Sequence, residues 1–172
     1  MRSTGRTKPS QGPGTPATAA LDAAGVAYIA RPYEHNPASA SYGLEAAEAL
    51  GVAPQRVFKT LVVDIGGSAA AKLCVAVVPV SASLDLKAAA AAFGAKKASM
   101  AEPAAAERRT GYVLGGISPL GQRQPSPTAI DESALEHETI LVSGGRRGFD
   151  VELAPADLVR LTRASVARLR AR

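Results

Sequence analysis

The sequence predicts a single α/β domain built around a mixed, curved β-sheet. With 172 residues, 47% of them hydrophobic, the chain is long enough to form one buried core. Two apolar runs, VFKTLVVDI and KLCVAVVPV, are typical of paired strands, and the Gly66-Gly67 turn between them indicates a hairpin. Helical and strand-like segments follow one another without a regular β-α-β order, which favours a mixed sheet over a doubly wound one.

The first half of the chain contains glycine-bounded helices and the central hairpin. Residues 1–15 are rich in Gly, Pro, Ser and basic residues, so we expect a flexible basic tail followed by one domain over 16–172. Gly25 and Gly51 are typical helix ends. The predicted elements of this half are a helix, a strand, a helix and the two hairpin strands, at 17–24, 26–33, 42–50, 57–65 and 72–80.

The second half predicts shorter elements around loops rich in glycine and proline. A helix is expected from Ser83 to Gly94, and a short one from Pro103 to about Arg109. The segment TGYVLGGISPLGQ predicts a short strand leading into a shaped loop. Strands are predicted at PTAID, TILVSGG and GFDVELA. A C-terminal amphipathic helix is expected to run from about Pro155, with these residues on its apolar side: Leu158, Val159, Leu161, Val166 and Leu169.

Composition excludes several classes of protein. No apolar stretch has the length of a membrane-spanning helix or the pattern of a secretion signal, so we expect a soluble, cytoplasmic protein. A single cysteine, Cys74, cannot form a disulfide within the chain, and two histidines, His35 and His137, make a zinc site improbable. No metal and no cofactor is predicted.

The net charge of +5 is concentrated at the two ends of the chain. Residues 1–15 carry +3 and residues 156–172 carry +4, which leaves −2 for the rest. Basic ends on a nearly neutral body are consistent with contact to a polyanion such as RNA, and equally with solvated tails that bind nothing.

Lys59 is the residue that local structure explains least. It lies in the middle of VFKTLVVDI, a strand that is apolar on both faces. Burying an ammonium group is costly unless an acid or a ligand compensates its charge. Lys59 is therefore a candidate ligand-binding residue.

Other candidate sites have simpler explanations. Cys74 lies in the most apolar strand and is expected to be an inert core residue. The alternation in GFDVEL places Asp150 and Glu152 on the face that is solvent-exposed by default, and His35 is expected in a surface loop. The glycine-rich segments LGGISPLG and SGGRRG could bind an anion through backbone N–H groups or form plain turns, and the sequence does not decide between these.

Five blocks of the sequence occur in an order and at spacings that resemble the YbaK family. They are PYEHNPAS, VFKTLVV, GAKKASMAEP, RTGYVLGGISPLGQ and SGGRRGFDVELA, and the similarity runs from about Leu21 to Ser165. That family is similar to the editing domain inserted in bacterial prolyl-tRNA synthetase. The resemblance implies a barrel-like sheet surrounded by helices. It also implies a trans-editing deacylase that removes cysteine from mischarged Cys-tRNA(Pro), and possibly from Cys-tRNA(Cys).

The resemblance also implies which residues form the site. Motif by motif, it assigns catalytic roles to Lys59, Gly115, Asp150 and Tyr33. It assigns substrate binding to the two glycine-rich loops and to two neighbouring positions: Gly116, Ile117, Ser118, Pro119, Ser143, Gly144, Gly145, His35 and Thr60. Lys59 would bind a phosphate or ribose oxygen of the acceptor end, and the N–H groups of Gly115 and Gly116 would stabilise an oxyanion.

The implied reaction needs no protein nucleophile, because the cysteinyl thiol attacks its own ester carbonyl and leaves as a thiolactone. The implied partners are aminoacylated tRNA and, transiently, prolyl-tRNA synthetase. Two alternatives stay open at this point. One is a deacylase that uses water to clear another small amino acid, such as alanine, from tRNA(Pro), and the other is a non-catalytic module that binds tRNA or the synthetase.

Overall fold

A computed structural model describes residues 14–39 and 41–172 of the chain. Thirteen helices and strands, besides short 3-10 turns at Pro54–Arg56 and Glu132–Glu136, follow in this order within the described residues: α1 (Pro16–Ala24), β1 (Ile29–Pro32), α2 (Tyr42–Leu50), β2 (Phe58–Asp64), β3 (Leu73–Pro79), α3 (Leu86–Ala92), β4 (Ser99–Met100), α4 (Pro103–Thr110), β5 (Thr128–Asp131), β6 (Ile140–Arg146), β7 (Phe149–Leu153), α5 (Pro155–Thr162) and β8 (Ser165–Ala167).

The strands form two sheets that meet at one edge. The smaller sheet has the order β1-β7-β6 and is antiparallel, whereas the larger one has the order β4-β2-β3-β5-β8 and mixes antiparallel and parallel pairs. An isolated parallel bridge between Val57 and Leu141 joins the start of β2 to β6. The predicted mixed, curved sheet with surrounding helices is therefore confirmed, although the two sheets do not close into a continuous barrel.

The largest apolar cluster lies between the two sheets. Phe58 and Val62 of β2 share it with Phe149 and Val151 of β7, and α1 contributes Leu21. The opposite faces of the sheets are covered by helices. The second cluster combines Ala46 and Ala47 of α2 with Val57 and Leu141. The third lies where α3 and the C-terminal residues cover β3. Both faces of β2 are thus covered, as the apolar pattern predicted.

Helices α1 and α2 match their predictions closely because the sequence carries their end signals. Thr15 caps α1, accepting a hydrogen bond from the Thr18 N–H while the Thr18 side chain accepts one from the Thr15 N–H. Both helices end at a glycine in the left-handed region, Gly25 at φ 66° and Gly51 at φ 64°. The central hairpin is also confirmed, with Lys59 opposite Val78.

Several predicted boundaries are wrong, each for a local reason. Helix α3 begins at Leu86 and not at Ser83, because the Asp85 carboxylate accepts hydrogen bonds from the N–H groups of Lys87 and Ala88. The first strand covers Ile29–Pro32, which is shorter than the predicted 26–33.

The glycine-rich segment between α4 and β5 forms no strand, contrary to prediction. Its backbone is folded into turns instead. The N–H of Tyr112 donates to the Thr110 hydroxyl, and the Tyr112 hydroxyl donates to the carbonyl oxygen of Leu120 over 2.6 Å. These bonds shape a compact loop from residues that were expected to be partly extended.

The C-terminal helix is also shorter than predicted. Helix α5 ends at Thr162, where Arg163 adopts a left-handed conformation at φ 52°, and the chain continues as β8 in parallel with β5. The helical spacing of apolar residues in the sequence continues beyond the end of the helix. Of the residues that follow, Leu169 is fully buried, whereas Val166 is 40% exposed. The carboxylate of Asp131 fixes this last segment by accepting hydrogen bonds from the N–H groups of Leu169 and Arg170.

The predicted tail, residues 1–15, lies outside the described residues except for Gly14 and Thr15. Thr15 already belongs to the folded domain, since it caps α1. No helix within 14–39 or 41–172 is both long and apolar enough to cross a membrane.

Candidate active site

Strand pairing brings three predicted site residues into one row. Ser143 of β6 lies opposite Asp150 of β7, and Asp150 lies opposite Arg31 of β1. Paired residues project from the same face of a sheet. Lys59 and Ser143 each lie two residues beyond the bridged pair Val57 and Leu141, so Lys59 projects from that face as well. Asp150 lies one strand spacing, about 5 Å, from Ser143, and Lys59 extends from the adjoining sheet on the same side.

The Asp150 side chain is buried without a partner. Its residue is only 6% exposed, and its carboxylate has no hydrogen bond or ion pair in the described part of the chain. The neighbouring Arg31 bonds to Glu152 instead, over 3.1 Å. Burial raises the pKa of Asp150 to about 7. The default expectation of a solvent-facing Asp150 is therefore wrong, whereas Glu152 is neutralised by Arg31 and Arg56.

Lys59 is the cationic counterpart of Asp150. It is half-buried, and burial lowers the pKa of its ammonium. Among residues 14–39 and 41–172, no acid and no carbonyl oxygen lies within bonding distance of this ammonium. Neither shift in pKa is offset by the other charge, so the fold does not pair these two groups with each other.

Thr60 follows Lys59 but projects from the opposite face of β2, which it shares with Phe58 and Val62. Its hydroxyl oxygen is buried and lacks a hydrogen-bond partner within the described residues. A buried hydroxyl without a partner is rare in folded proteins. The structure thus separates Thr60 from the row of Lys59, Ser143 and Asp150.

Tyr33 lies just after β1, beside Gly148 and Asp150. Its N–H donates to the carbonyl oxygen of Gly148 over 2.9 Å. Burial first, and then the charge of Asp150, raise the pKa of the Tyr33 hydroxyl to about 12 against the opposing effect of a hydrogen bond with the Gly148 backbone. Tyr33 is thus a neutral hydrogen-bond donor at the edge of the Asp150 site.

The SGGRRG segment is the hairpin between β6 and β7, with an irregularity between Ser143 and Arg146. The Ser143 hydroxyl accepts a hydrogen bond from the N–H of Gly145 over 3.2 Å, which leaves its own proton free to donate to a ligand. A Cβ on Gly144 would lie 2.4 Å from the Phe149 ring, and Gly145 has φ 107°. Both glycines are therefore required by the close packing of the hairpin.

The LGGISPLG loop lies against this hairpin and against α2. A Cβ on Gly115 would lie 2.8 Å from the Tyr42 ring, and φ at Gly115 is 83°. A Cβ on Gly116 would lie 2.9 Å from the Cα of Arg146. Side chains at these two positions would force the loop away from the hairpin, so the glycines allow the two backbones to approach.

Gly116 does not match the role that the resemblance gave its N–H, because this group already donates to the carbonyl oxygen of Val113 over 2.9 Å. The N–H groups of Gly115 and Ile117 have no acceptor among the described residues. Ser118 is fully buried, and its hydroxyl accepts from the Leu120 N–H over 3.2 Å. Pro119 is buried too, so the part of the loop that follows Gly115 is packed into the protein.

Thr15 was not among the predicted site residues, yet Thr15 and Pro16 contact both of these loops. The Thr15 hydroxyl donates to the carbonyl oxygen of Gly144 over 2.5 Å, and the backbone of Pro16 lies directly against Gly121. The sequence analysis assigned Thr15 to the end of the basic tail. Nothing in the sequence around Thr15 indicates that its hydroxyl also binds the SGGRRG segment.

His35 has a positioning contact. Its Nδ1 lies 3.0 Å from the Glu45 carboxylate, which also accepts a short hydrogen bond from the N–H of Asn36. Burial alone would raise the pKa of Glu45, but the bonds from Asn36 and His35 outweigh it and the pKa is lowered. The loop before α2 is therefore held to the first turn of that helix.

Tyr42, at the start of α2, was missed by the sequence analysis. Its ring lies over Gly115, 5.9 Å from the His35 ring, and 4.9 Å below the Arg147 guanidinium. Arg147 in turn donates to the carbonyl oxygen of Leu114 over 2.8 Å. The signal available in the sequence was an aromatic residue at the first position of a predicted helix, next to a loop. Tyr42 thus links the three loops that surround the row of Lys59, Ser143 and Asp150.

Cys74 is buried in β3, as predicted, and burial first of all raises the pKa of its thiol. A thiol of this kind is a poor nucleophile. The described residues include no cluster of three His, Cys, Asp or Glu side chains that would bind a metal ion.

Comparisons with known proteins identify the family of this chain. The pattern of the aminoacyl-tRNA editing domain matches residues 36–161. A protein of Enterococcus faecalis named "Putative Cys-tRNA(Pro)/Cys-tRNA(Cys) deacylase EbsC" is 42% identical over 123 residues, which are 72% of this chain and 73% of that one.

Solved structures show the same fold. One described as "a putative trans-editing enzyme for prolyl tRNA synthetase" is 28% identical, with a TM-score of 0.77 over 94% of this chain and 100% of that one. The hypothetical protein APE2540, 24% identical, has a TM-score of 0.80 over 91% and 100% of the two chains and supports the fold alone. The expected resemblance is confirmed, and the chain belongs to the aminoacyl-tRNA editing domain family.

Proposed function

We propose that this protein is a trans-editing deacylase that removes cysteine from mischarged Cys-tRNA(Pro). The observation that carries the proposal is a pair of unpartnered side chains on the same side of the two sheets, the buried Asp150 and the half-buried Lys59. An aminoacylated acceptor end offers each of them a partner, because its phosphates are anionic and its cysteinyl thiol can donate a proton. The names of the Enterococcus faecalis relative and of the trans-editing structure support the same class of substrate.

The substrate supplies the nucleophile in this proposal. Cys74 is buried in β3, and among the described residues no hydrogen bond joins it to His35, so these two side chains do not form a nucleophile–base pair. The cysteinyl sulfur attacks the ester carbonyl carbon, the bond from this carbon to the ribose oxygen breaks, and a thiolactone and free tRNA result. The thiol loses one proton and the leaving ribose oxygen gains one. Holding the thiol near the carbonyl lowers the barrier through orientation alone.

Asp150 accepts the thiol proton in this mechanism. A general base works best when its pKa is close to the working pH, and burial raises the pKa of Asp150 to about 7. Lys59 binds an oxygen of the acceptor end, where the ligand offsets the cost of its burial. The free N–H of Gly115, at the bend over Tyr42, is the donor available to a developing oxyanion.

Substrate choice tests the mechanism directly. Purified protein is incubated with Cys-tRNA(Pro), Ser-tRNA(Pro) and Ala-tRNA(Pro), and the remaining esters are measured with time. We expect rapid cleavage of the cysteinyl ester and very slow loss of the seryl ester, because a hydroxyl is a far weaker nucleophile than a thiol at neutral pH. Equal rates for Cys and Ser, or faster loss of Ala, would replace this mechanism with attack by water.

The synthetase is the proposed source of tRNA specificity. The body of the chain between its basic ends carries a net charge of −2, so it has no net positive charge with which to bind a whole tRNA. We infer that a transient complex with prolyl-tRNA synthetase, in the cytoplasm, directs the deacylase to tRNA(Pro). Adding the synthetase should raise the rate ratio of Cys-tRNA(Pro) to Cys-tRNA(Cys). A high ratio that the synthetase does not change would place specificity in the deacylase itself.

A further inference from the structure

A basic groove lies at the end of β2 that is farther from Lys59. It encloses about 730 Å³ between the turn after β2, the start of β3 and the segment after α3. Its lining comprises residues 65–69, Lys72 and residues 93–97. The β2–β3 turn is held open by Asp64, whose carboxylate accepts hydrogen bonds from the N–H groups of Gly66 and Lys72.

The charge of this groove has a single sign. Its lining includes three of the six lysines of the chain, Lys72, Lys96 and Lys97, and no acidic residue. All three are exposed, and none forms an ion pair or side-chain hydrogen bond with a described residue. Three uncompensated cations around one concave surface attract anions more strongly than the same charges dispersed over a neutral body.

The groove opens on the same face of β2 as Lys59. Lys59, Leu61 and Ile65 alternate to one side of this strand, and Ile65 lines the groove. Phe93, another lining residue, packs against the cluster that includes Leu61. Six residues of extended chain separate Lys59 from Ile65, which corresponds to about 20 Å.

Helix α3 runs from the Lys59 end of the sheet to the groove. Strand β3 ends at Pro79, opposite Phe58, and α3 begins seven residues later and ends just before Phe93. After Lys87 this helix contains only alanine, so its side chains form a low surface between the two places. A chain that is bound at Lys59 can therefore pass over α3 into the groove.

We propose that Lys72, Lys96 and Lys97 bind the phosphate backbone of the RNA whose aminoacylated end occupies the Lys59 site. This assignment rests on the proposed function, since it takes that occupant to be the end of a tRNA. A stacked RNA strand places its phosphates about 3.4 Å apart along its axis, so about 20 Å spans roughly six nucleotides. The groove thus meets the acceptor stem just behind the unpaired 3′ end, where backbone contacts give affinity without reading sequence.

The first test measures the salt dependence of tRNA binding. The triple variant Lys72→Gln/Lys96→Gln/Lys97→Gln is compared with a control that removes three exposed charges away from the groove and from α3, Arg108→Gln/Arg163→Gln/Arg168→Gln. Binding of tRNA that carries no amino acid is measured for each variant at several salt concentrations. Loss of three phosphate contacts should reduce the slope of log K against log salt by about two to three, whereas the control should change it by less than about one. Equal changes in the two variants would overturn the assignment.

The second test separates this proposal from the proposed function. Deacylation is measured on full-length Cys-tRNA and on a four-nucleotide RNA that carries the same cysteinyl ester and is too short to reach the groove. The triple variant should show a KM raised about tenfold or more on the full-length substrate, with kcat/KM on the short one unchanged. A loss on both substrates would make the lysines part of the Lys59 site and refute the groove.

If the wild-type protein deacylates neither substrate, the proposed function fails, while the salt slopes still decide whether the groove binds RNA. An unchanged slope together with weaker capture of prolyl-tRNA synthetase would show that the lysines meet a protein instead, and would also overturn the proposal.

Discussion

Replacing Asp150 with asparagine should stabilise the protein at alkaline pH and leave its stability nearly unchanged at acid pH. The amide keeps the shape of the side chain and removes a negative charge that nothing in the described part of the chain neutralises. An active site that stores an unfavourable charge loses this cost, together with its activity, when the charge is removed.

The magnitude follows from the shift in the pKa of Asp150 from 3.8 to about 7. Between these values the folded state binds more protons than the unfolded state, so the free energy of unfolding falls as pH rises through this window and is constant above it. At about 1.4 kcal/mol per pKa unit, the full shift corresponds to roughly 4 kcal/mol, and relaxation of the site reduces this to about 2–4 kcal/mol.

The assay is urea unfolding of wild type and Asp150→Asn at pH 5, 6, 7 and 8. The difference in unfolding free energy should grow from about 1–1.5 kcal/mol at the lowest pH to about 2–4 kcal/mol at the highest. The control is Glu138→Gln, which neutralises an exposed carboxylate and should change stability by less than about 0.5 kcal/mol throughout. A gain that does not vary with pH, or a loss at pH 8, would refute the assignment of an unpartnered, buried carboxylate.

Further substitutions test other contacts. Lys59→Ala should lower kcat/KM on Cys-tRNA(Pro) by at least about 100-fold without lowering the urea midpoint, and a folded variant with full activity would contradict its role. Cys74→Ser should retain activity in the same assay and cost about 1–2 kcal/mol in urea unfolding, because it buries a hydroxyl in the apolar β3. Asp131→Ala should cost about 3–5 kcal/mol, since it frees the N–H groups of Leu169 and Arg170, and a Tm unchanged from wild type would rule this out. Gly115→Ala should lower activity through strain at φ 83° and collision with Tyr42, and the double variant Gly115→Ala/Tyr42→Ala should recover part of it.

The sequence predicted the elements whose signals are local. The glycines at positions 25 and 51 marked the ends of α1 and α2 without any tertiary information. The elements that it mispredicted depend on distant partners. Strand β8 exists because it pairs with β5, and the buried Asp131 holds the residues that follow it, so the helical apolar spacing after Arg163 was misleading.

The candidate site shows the same division. Lys59 could be predicted as a candidate from the segment VFKTLVVDI alone, because a charged residue in an apolar strand conflicts with its surroundings. The alternation in GFDVEL predicted the opposite of what the fold does to Asp150, because a face that is exposed in an isolated hairpin is covered here by α2. Only the family resemblance recovered this residue from the sequence.

Contacts between loops were beyond the sequence for a different reason. The Thr15 hydroxyl and the Gly144 carbonyl oxygen are 129 positions apart, and the Arg147 guanidinium meets Leu114 across 33. Hydrogen bonds of this kind leave no periodic pattern, because each uses one polar group in a loop and a backbone atom that every residue possesses. The same is true of the Gly116 N–H. Because it donates to the carbonyl oxygen of Val113, the N–H of Gly115 is the one of the two that can donate to an oxyanion.

These contacts explain how a site without a strong internal nucleophile can still be selective. Thr15 and Tyr112 hold the two glycine-rich loops in place through hydrogen bonds to their carbonyl oxygens. Three groups remain free to bind a ligand: Lys59, Asp150 and the N–H of Gly115. Ordering the loops and burying the charges both cost free energy during folding, before a substrate arrives, and a bound substrate offsets only the second of these. A ligand that lacks the anionic group leaves Lys59 without a partner, and one that lacks a proton donor leaves Asp150 without one. Under the proposed function, selection for an aminoacylated RNA end follows from these two requirements.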